Sequence, residues 1–274
     1  MDRVEASRRF FARLVTAHAG VPADSELAAA FASTPREQFV GNPPWRVFTS
    51  SGYLETPSDD PAFLYQDVVV SLGGKESLNN GQPSLHALCI HALALKPGET
   101  VVHVGAGTGY YTTLLAKLVG ESGHVIAFEI DEELAQRAAA NLSGFTNVTV
   151  HHRSGAEGPI PECDALYVNA GATSPLAVWL DALCTGGRLL FPLASSAGGG
   201  AMLLVTRNEN DTFAARFLCQ AIFVPCVGAN DETLGKILTD AFRRGGLNKV
   251  KELYRDDKPG ENCWCSGPGW WLST

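Results

Sequence analysis

An apolar run at 101–104 leads without a break into Gly105-Ala106-Gly107-Thr108-Gly109 and on into an apolar-faced helix at 111–119, and no other segment narrows the fold as far. Three glycines in five residues allow main-chain angles that side chains forbid and let the backbone approach a ligand closely. Glu129 stands 20 residues beyond Gly109 and ends the next apolar strand, at 125–128. At that place a carboxylate can accept two hydrogen bonds from a ribose diol, so the pair reads as a nucleoside-binding layout. The spacing is G-x-G-x-G, and Tyr110 stands where the third glycine of the dinucleotide fingerprint falls, which disfavours NAD.

The pattern around this turn alternates strand and helix. Strands are expected at 101–104, 125–128, 148–151, 165–169 and 188–191, with helices at 111–119, 132–142 and 175–183 between them. Such alternation predicts a doubly wound, Rossmann-like parallel sheet with helices on both faces. Ahead of it, helical spacing at 3–18 and 27–31 gives a helical cap, 41–60 reads as an irregular turn-rich connection, and a strand at 67–72 precedes a helix begun by Pro83. Behind it, 201–206 and 213–225 form a closing hairpin, 232–244 a helix, and the Trp-rich end follows. The expected divisions are 1–80 for the cap and substrate-side loop, 81–226 for the cofactor-binding domain, and 227–274 for a C-terminal extension.

Composition removes several function classes. The 29 acidic and 21 basic residues give a net charge of -8, which repels phosphate backbones and argues against a nucleic-acid partner. No run reaches the roughly 18–20 apolar residues of a membrane span, since the best, 85–95, carries His86 and His91. The N-terminus lacks a secretory pattern, so a cytoplasmic protein without a membrane partner is expected. Seven cysteines, an odd number scattered through apolar segments, suit free buried thiols rather than a disulfide framework or a zinc site. His151 and His152 are strand neighbours pointing to opposite faces, so no metal is expected there either. His86 and His91 read as core histidines on one helix face, and Trp270 and Trp271 as packing residues.

Several motifs then occur in order: Pro35-Arg36-Glu37-Gln38-Phe39-Val40, Tyr65-Gln66-Asp67, Gly81-Gln82-Pro83, the glycine turn with Tyr110-Tyr111, 164–171 and 183–192. In these the chain, from about 25 to 226, resembles the S-adenosylmethionine-dependent methyltransferases of the protein-L-isoaspartate O-methyltransferase family. The resemblance implies S-adenosylmethionine as cofactor. Three positions depart from the family pattern. Gly81 replaces the serine of Ser-x-Pro that is associated with catalysis. His103 replaces the acid that holds the methionine part of the cofactor, and Arg153-Ser154-Gly155 replaces the Gly-Asp-Gly whose aspartate meets the adenine edge.

The expected cofactor contacts are His103, Gly105, Gly107, Gly109, Glu129, Ser154, Gly155 and Asn169, the last at the carboxyl end of its strand. Candidates on the acceptor side are Tyr65, Gln66, Asp67, Gln82, Ser84 and His86. The expected reaction is O-methylation of a carboxylate on a peptide, protein or small metabolite, either isoaspartyl or a specialised natural-product acceptor. A carboxylate is ionised at neutral pH and needs no general base, so losing the serine need not abolish transfer. The alternative function is a catalytically silent cofactor-binding adaptor, and a dehydrogenase stands third.

Overall fold

The computed structural model describes residues 2–73, 78–196 and 198–274. In chain order it contains α1 (Arg3–His18), α2 (Glu26–Ala32), β1 (Arg46–Thr49), β2 (Gly52–Glu55), α3 (Pro83–Leu93), β3 (Thr100–Val104), α4 (Tyr110–Val119) and β4 (His124–Glu129). There follow α5 (Glu132–Asn141), β5 (Val148–His152), β6 (Cys163–Val168), α6 (Ala177–Asp181), β7 (Leu183–Ala194), β8 (Gly200–Arg207) and β9 (Phe213–Ala221). The chain ends in α7 (Glu232–Arg244), β10 (Glu252–Tyr254), β11 (Cys263–Gly267) and β12 (Trp270–Ser273). Two compact units result: 106–152 with the described residues of 1–98, and 99–105 with 153–274.

In the first unit, α1 buries Phe11, Ala12 and Val15, and α2 buries Leu27, Ala28 and Phe31. Phe11 meets Phe31 edge-on at 6.1 Å, and Tyr110, the first residue of α4, sits edge-on to Phe39 at 5.4 Å. These aromatic contacts seat the cap on the helix that leaves the glycine turn. β4 and β5 pair in parallel from Val125↔Val148 to Glu129↔His152. Asp131 caps α5 by accepting the Leu134 N–H at 3.1 Å. A separate cluster of Val40, Trp45, Leu64, Val70, Leu72 and Leu134 underlies the loop region.

Arg36 organises that region. Its guanidinium, fully buried, donates to the carbonyls of Leu64 (2.7 Å), Gln66 (3.1 Å) and Val68 (2.5 Å) and to Asn80 Oδ1 (3.2 Å). Asn80 Oδ1 also accepts the Val70 N–H at 2.9 Å. The segment expected as a strand at 67–72 forms only the bridges Val47↔Val70 and Ser71↔Asn79: its main chain pairs with 46–48 through Val69 O and Ser71 N–H and with 78–80 through Val70 O and Leu72 N–H, while Val68 O goes to the guanidinium. The segment 41–60, expected to be irregular, holds the antiparallel hairpin β1–β2, with Val47 opposite Leu54 and Phe48 opposite Tyr53.

In the second unit, β3, β6 and β7 run parallel, with Val101↔Ala165 and Ala165↔Arg188 in register. From β7 onward the pairing is antiparallel, in the order β7-β8-β9-β10-β12-β11. The Glu99 carboxylate receives Arg188 twice, at 3.0 and 2.7 Å, and Asp164 accepts the Thr100 N–H at 2.8 Å. α6 is shorter than the expected 175–183, because β7 already begins at Leu183. The C-terminal extension, expected as a helix and a Trp-rich tail, holds a helix and three strands. Trp264, Trp270 and Trp271 are buried in it, and Trp264 closes an edge-on triangle with Phe217 and Phe242 at 5.2 and 5.5 Å. No helix among the described residues is long and apolar enough to cross a membrane.

Candidate functional site

The expected site residues fall into sets within each unit. In the first, α4 starts directly on Gly109, whose φ is +93° and whose missing Cβ would lie 2.8 Å from Leu142 Cδ1. Glycine is therefore required there by both conformation and space. Gly107 N–H donates to Glu129 Oε2 at 2.7 Å, and Asp131 N–H donates to Oε1 at 3.0 Å. The carboxylate thus ends β4 fixed at both oxygens and 7% exposed, with the Ile130 N–H as a further backbone partner. Burial pushes this carboxyl above the usual range, opposed by those backbone N–H groups. A diol is a suitable partner because it brings two O–H donors and no second charge.

The acceptor-side candidates lie in the same unit. Tyr65 is buried and donates its hydroxyl to Glu37, and burial raises its pKa. Gln66 is exposed and donates to Phe63 O at 3.1 Å. Asp67 accepts from Ser84 N–H (2.8 Å), Ser84 Oγ (2.6 Å) and Gln82 Nε2 (3.0 Å). Burial by itself would raise the Asp67 pKa, but these hydrogen bonds outweigh it and hold the carboxyl low. Because Ser84 lies in the first turn of α3, Asp67 caps that helix from a remote part of the chain. His86 is buried with its ring stacked on Tyr111 at 3.6 Å, whereas His91, expected on the same buried face, is exposed. At Gly81, with φ +68°, an added Cβ would fall 2.2 Å from His86 Nε2. The imidazole fills the volume that a side chain at 81 would take.

In the second unit, His103 and Asn169 come together. His103 is fully buried at the penultimate position of β3, and burial brings its imidazole down to about 3. Asn169 follows β6, with Nδ2 2.7 Å from His103 Nε2, while its Oδ1 is buried without a hydrogen-bond partner. A Cβ at Gly105 would touch the Asn169 main-chain carbonyl at 3.4 Å. Gly155 packs under β3, where a Cβ would lie 2.6 Å from the Val104 methyls, and its carbonyl accepts Trp179 Nε1–H at 2.7 Å. The Ser154 hydroxyl is engaged within its own loops, accepting from Ala156 N–H at 3.1 Å and donating to Val227 O at 3.4 Å.

Arg36, Asn80 and Glu37 were not among the expected residues, although Arg36 and Glu37 lie within the Pro35–Val40 motif. The motif is the available signal, but an arginine is normally read as exposed. No group of three or more His, Cys, Asp or Glu among the described residues could hold a metal ion.

Residues 12–231 match the family model described as protein-L-isoaspartate(D-aspartate) O-methyltransferase. The chain is 32% identical over 212 residues to the protein-L-isoaspartate O-methyltransferase of Roseiflexus sp. (strain RS-1), covering 76% of this chain and 86% of that one. It is 29% identical over 198 residues to the protein of that name from Methanothermobacter thermautotrophicus, covering 71% and 83%. In fold it is similar to a solved protein-L-isoaspartate O-methyltransferase, with a TM-score of 0.68 at 23% identity, covering 86% of this chain and 69% of that one. It is likewise similar to a structure from Plasmodium falciparum described as a complex with S-adenosyl-L-homocysteine, with a TM-score of 0.64 at 19% identity, covering 81% and 98%.

Proposed function

Because the chain belongs to the protein-L-isoaspartate(D-aspartate) O-methyltransferase family and is an S-adenosylmethionine-dependent O-methyltransferase, we propose that it esterifies the carboxylate of isoaspartyl residues in proteins and peptides. The observation that carries the cofactor part is the Glu129 carboxylate at the end of β4, its two oxygens oriented by the Gly107 and Asp131 N–H groups. That arrangement fits a ribose diol, and within the second unit the orphaned Asn169 Oδ1 fits a hydrogen-bond donor.

S-adenosylmethionine, when bound, supplies a methyl group on a positively charged sulfonium. Glu129, Gly107 and Gly109 would hold the sugar and its approach to the turn. Within the second unit, Asn169, with His103 and Gly105 beside it, would meet a donor of the cofactor. The protein's task is to orient acceptor and donor and to exclude water, because the acceptor carboxylate is already ionised at neutral pH. No side chain is required to remove a proton from it.

On the acceptor side, Gln66 is exposed and its amide, which donates once to Phe63 O, has a second N–H to offer a carboxylate, whereas the Gln82 amide is committed to Asp67 Oδ2 and Ser84 Oγ. The donors gathered on Asp67 offset its charge, which lowers the repulsion that a free aspartate would exert on an acidic acceptor. Tyr65 and His86 are buried and act as packing around these groups.

The test combines binding and turnover. S-adenosylhomocysteine should bind in calorimetry, and Glu129→Ala should weaken it by about 1–3 kcal/mol, the scale of hydrogen bonds to a charged group. Labelled methyl should pass to an isoaspartyl peptide as a base-labile ester and not to the same peptide with normal aspartate. Equal labelling of both peptides, or none of the isoaspartyl peptide by protein that binds S-adenosylhomocysteine, would overturn the acceptor assignment.

A further inference from the structure

The Asn169 amide has one end committed and one end open. Its Nδ2 is 2.7 Å from His103 Nε2, at the end of a strand whose last four residues are all buried. The His103 ring is neutral, since burial keeps its pKa far below physiological pH. With the amide Nδ2 turned to the ring, as the structure has it, the neutral imidazole accepts at Nε2 and carries its proton on Nδ1. The carbonyl oxygen is then left over, buried and without a partner. An acceptor in that state is a cost to the folded protein unless a donor reaches it.

Position 103 is an imidazole, neutral in its burial, and brings no fixed charge to the pair. Gly105, whose missing Cβ would touch the Asn169 carbonyl at 3.4 Å, leaves the flank of the asparagine clear of any side chain from the first glycine of the turn. We propose that Asn169 Oδ1, oriented by neutral His103, is the acceptor for the ammonium group of the cofactor's amino-acid end, a neutral amide serving in place of a carboxylate. This deepens the cofactor assignment made above and rests on it. His103 is a positioning residue in this arrangement and Asn169 the contact.

The experiment is calorimetry on the full chain with three probes: S-adenosylhomocysteine, its decarboxylated amine, which keeps the ammonium alone, and 5′-methylthioadenosine, which has neither group. Asn169→Ala should weaken the first two by about tenfold or more, the range for a hydrogen bond to a charged group, and leave methylthioadenosine within about twofold. Asn169→Asp keeps an oxygen at the Oδ1 position and lets His103 donate through Nε2, so it should bind S-adenosylhomocysteine at least as tightly as the wild type. Three results would overturn the inference. One is an equal loss for methylthioadenosine, which would make Asn169 structural. Another is a loss for S-adenosylhomocysteine but not for the amine, which would assign the contact to the carboxylate. The third is Asn169→Asp falling as far as Asn169→Ala. Wild-type protein that binds none of the three would remove the cofactor assignment itself and this inference with it.

Discussion

A side chain at position 81 has to compete with the His86 ring for the same space. With an added Cβ 2.2 Å from Nε2 and φ at +68°, Gly81→Ser meets both a clash and a backbone penalty. Gly81→Ser should therefore destabilise the protein by about 1–3 kcal/mol, the usual cost of overpacking. His86→Ala should absorb part of that loss, so urea unfolding of the single and double variants should be non-additive. Strict additivity would show that the ring is not the obstacle. His103 makes a second prediction at this scale. Its folded pKa of about 3 lies below the unfolded value near 6.5, so the unfolded chain takes up the proton first. The associated stability is complete above about pH 6.5 and declines as pH falls toward 3, by up to roughly 4–5 kcal/mol. His103→Asn should flatten the fall of unfolding free energy between pH 6.5 and 4, and an unchanged slope would mean the ring is not buried in its neutral form. Glu129 was legible in the sequence because a strand, a glycine turn and an interval of 20 residues fix its place. His86 was legible as buried, but nothing in the chain announces that its ring fills the space beside Gly81.

At the scale of elements, the segment between β2 and α3 owes its course to Arg36. Arg36→Met would leave the carbonyls of Leu64, Gln66 and Val68 without this donor and cost at least about 3 kcal/mol, the penalty for breaking a buried charged network. Arg36→Lys should recover little, because a single ammonium cannot span four acceptors held by a planar fork. Chemical denaturation of both variants, with amide exchange followed at 68–72, checks this; wild-type stability in Arg36→Lys would refute the spanning role. The parallel strands could be read from the sequence because each is a short apolar run bounded by turns. The strand expected at 67–72 has the same apolar signature, yet its hydrogen bonds are divided among 46–48, 78–80 and a guanidinium 32 residues away, which no local pattern reports. The β1–β2 hairpin was hidden in the other direction. Its residues Val47, Phe48, Tyr53 and Leu54 sit among prolines and serines that dominate the composition.

For the molecule as a whole, α7 and the strands that follow it lie outside the stretch matched by the family model. They are bound to the rest of their unit: β10 pairs with β9 at Glu252↔Ala214 and Leu253↔Phe213, and Trp264 packs on Phe217 and Phe242. Removing 246–274 should uncover the β9 edge and that aromatic pair, costing about 3–5 kcal/mol as for loss of a large buried aromatic. Light scattering should then detect association through the open edge. A monomeric truncated protein with an unaltered melting temperature would contradict this. The sequence showed the tryptophans as packing residues, but Gly-Pro-Gly between them reads as a break and concealed the β11–β12 hairpin that turns there. The reversal of strand direction at β7 has a wider consequence. Every strand beyond it pairs antiparallel with its neighbour, and the last of them, β12, lies between β10 and β11. Lineages can lengthen, trim or exchange this flank by accretion, leaving the methyl-transferring part of the chain in its original register.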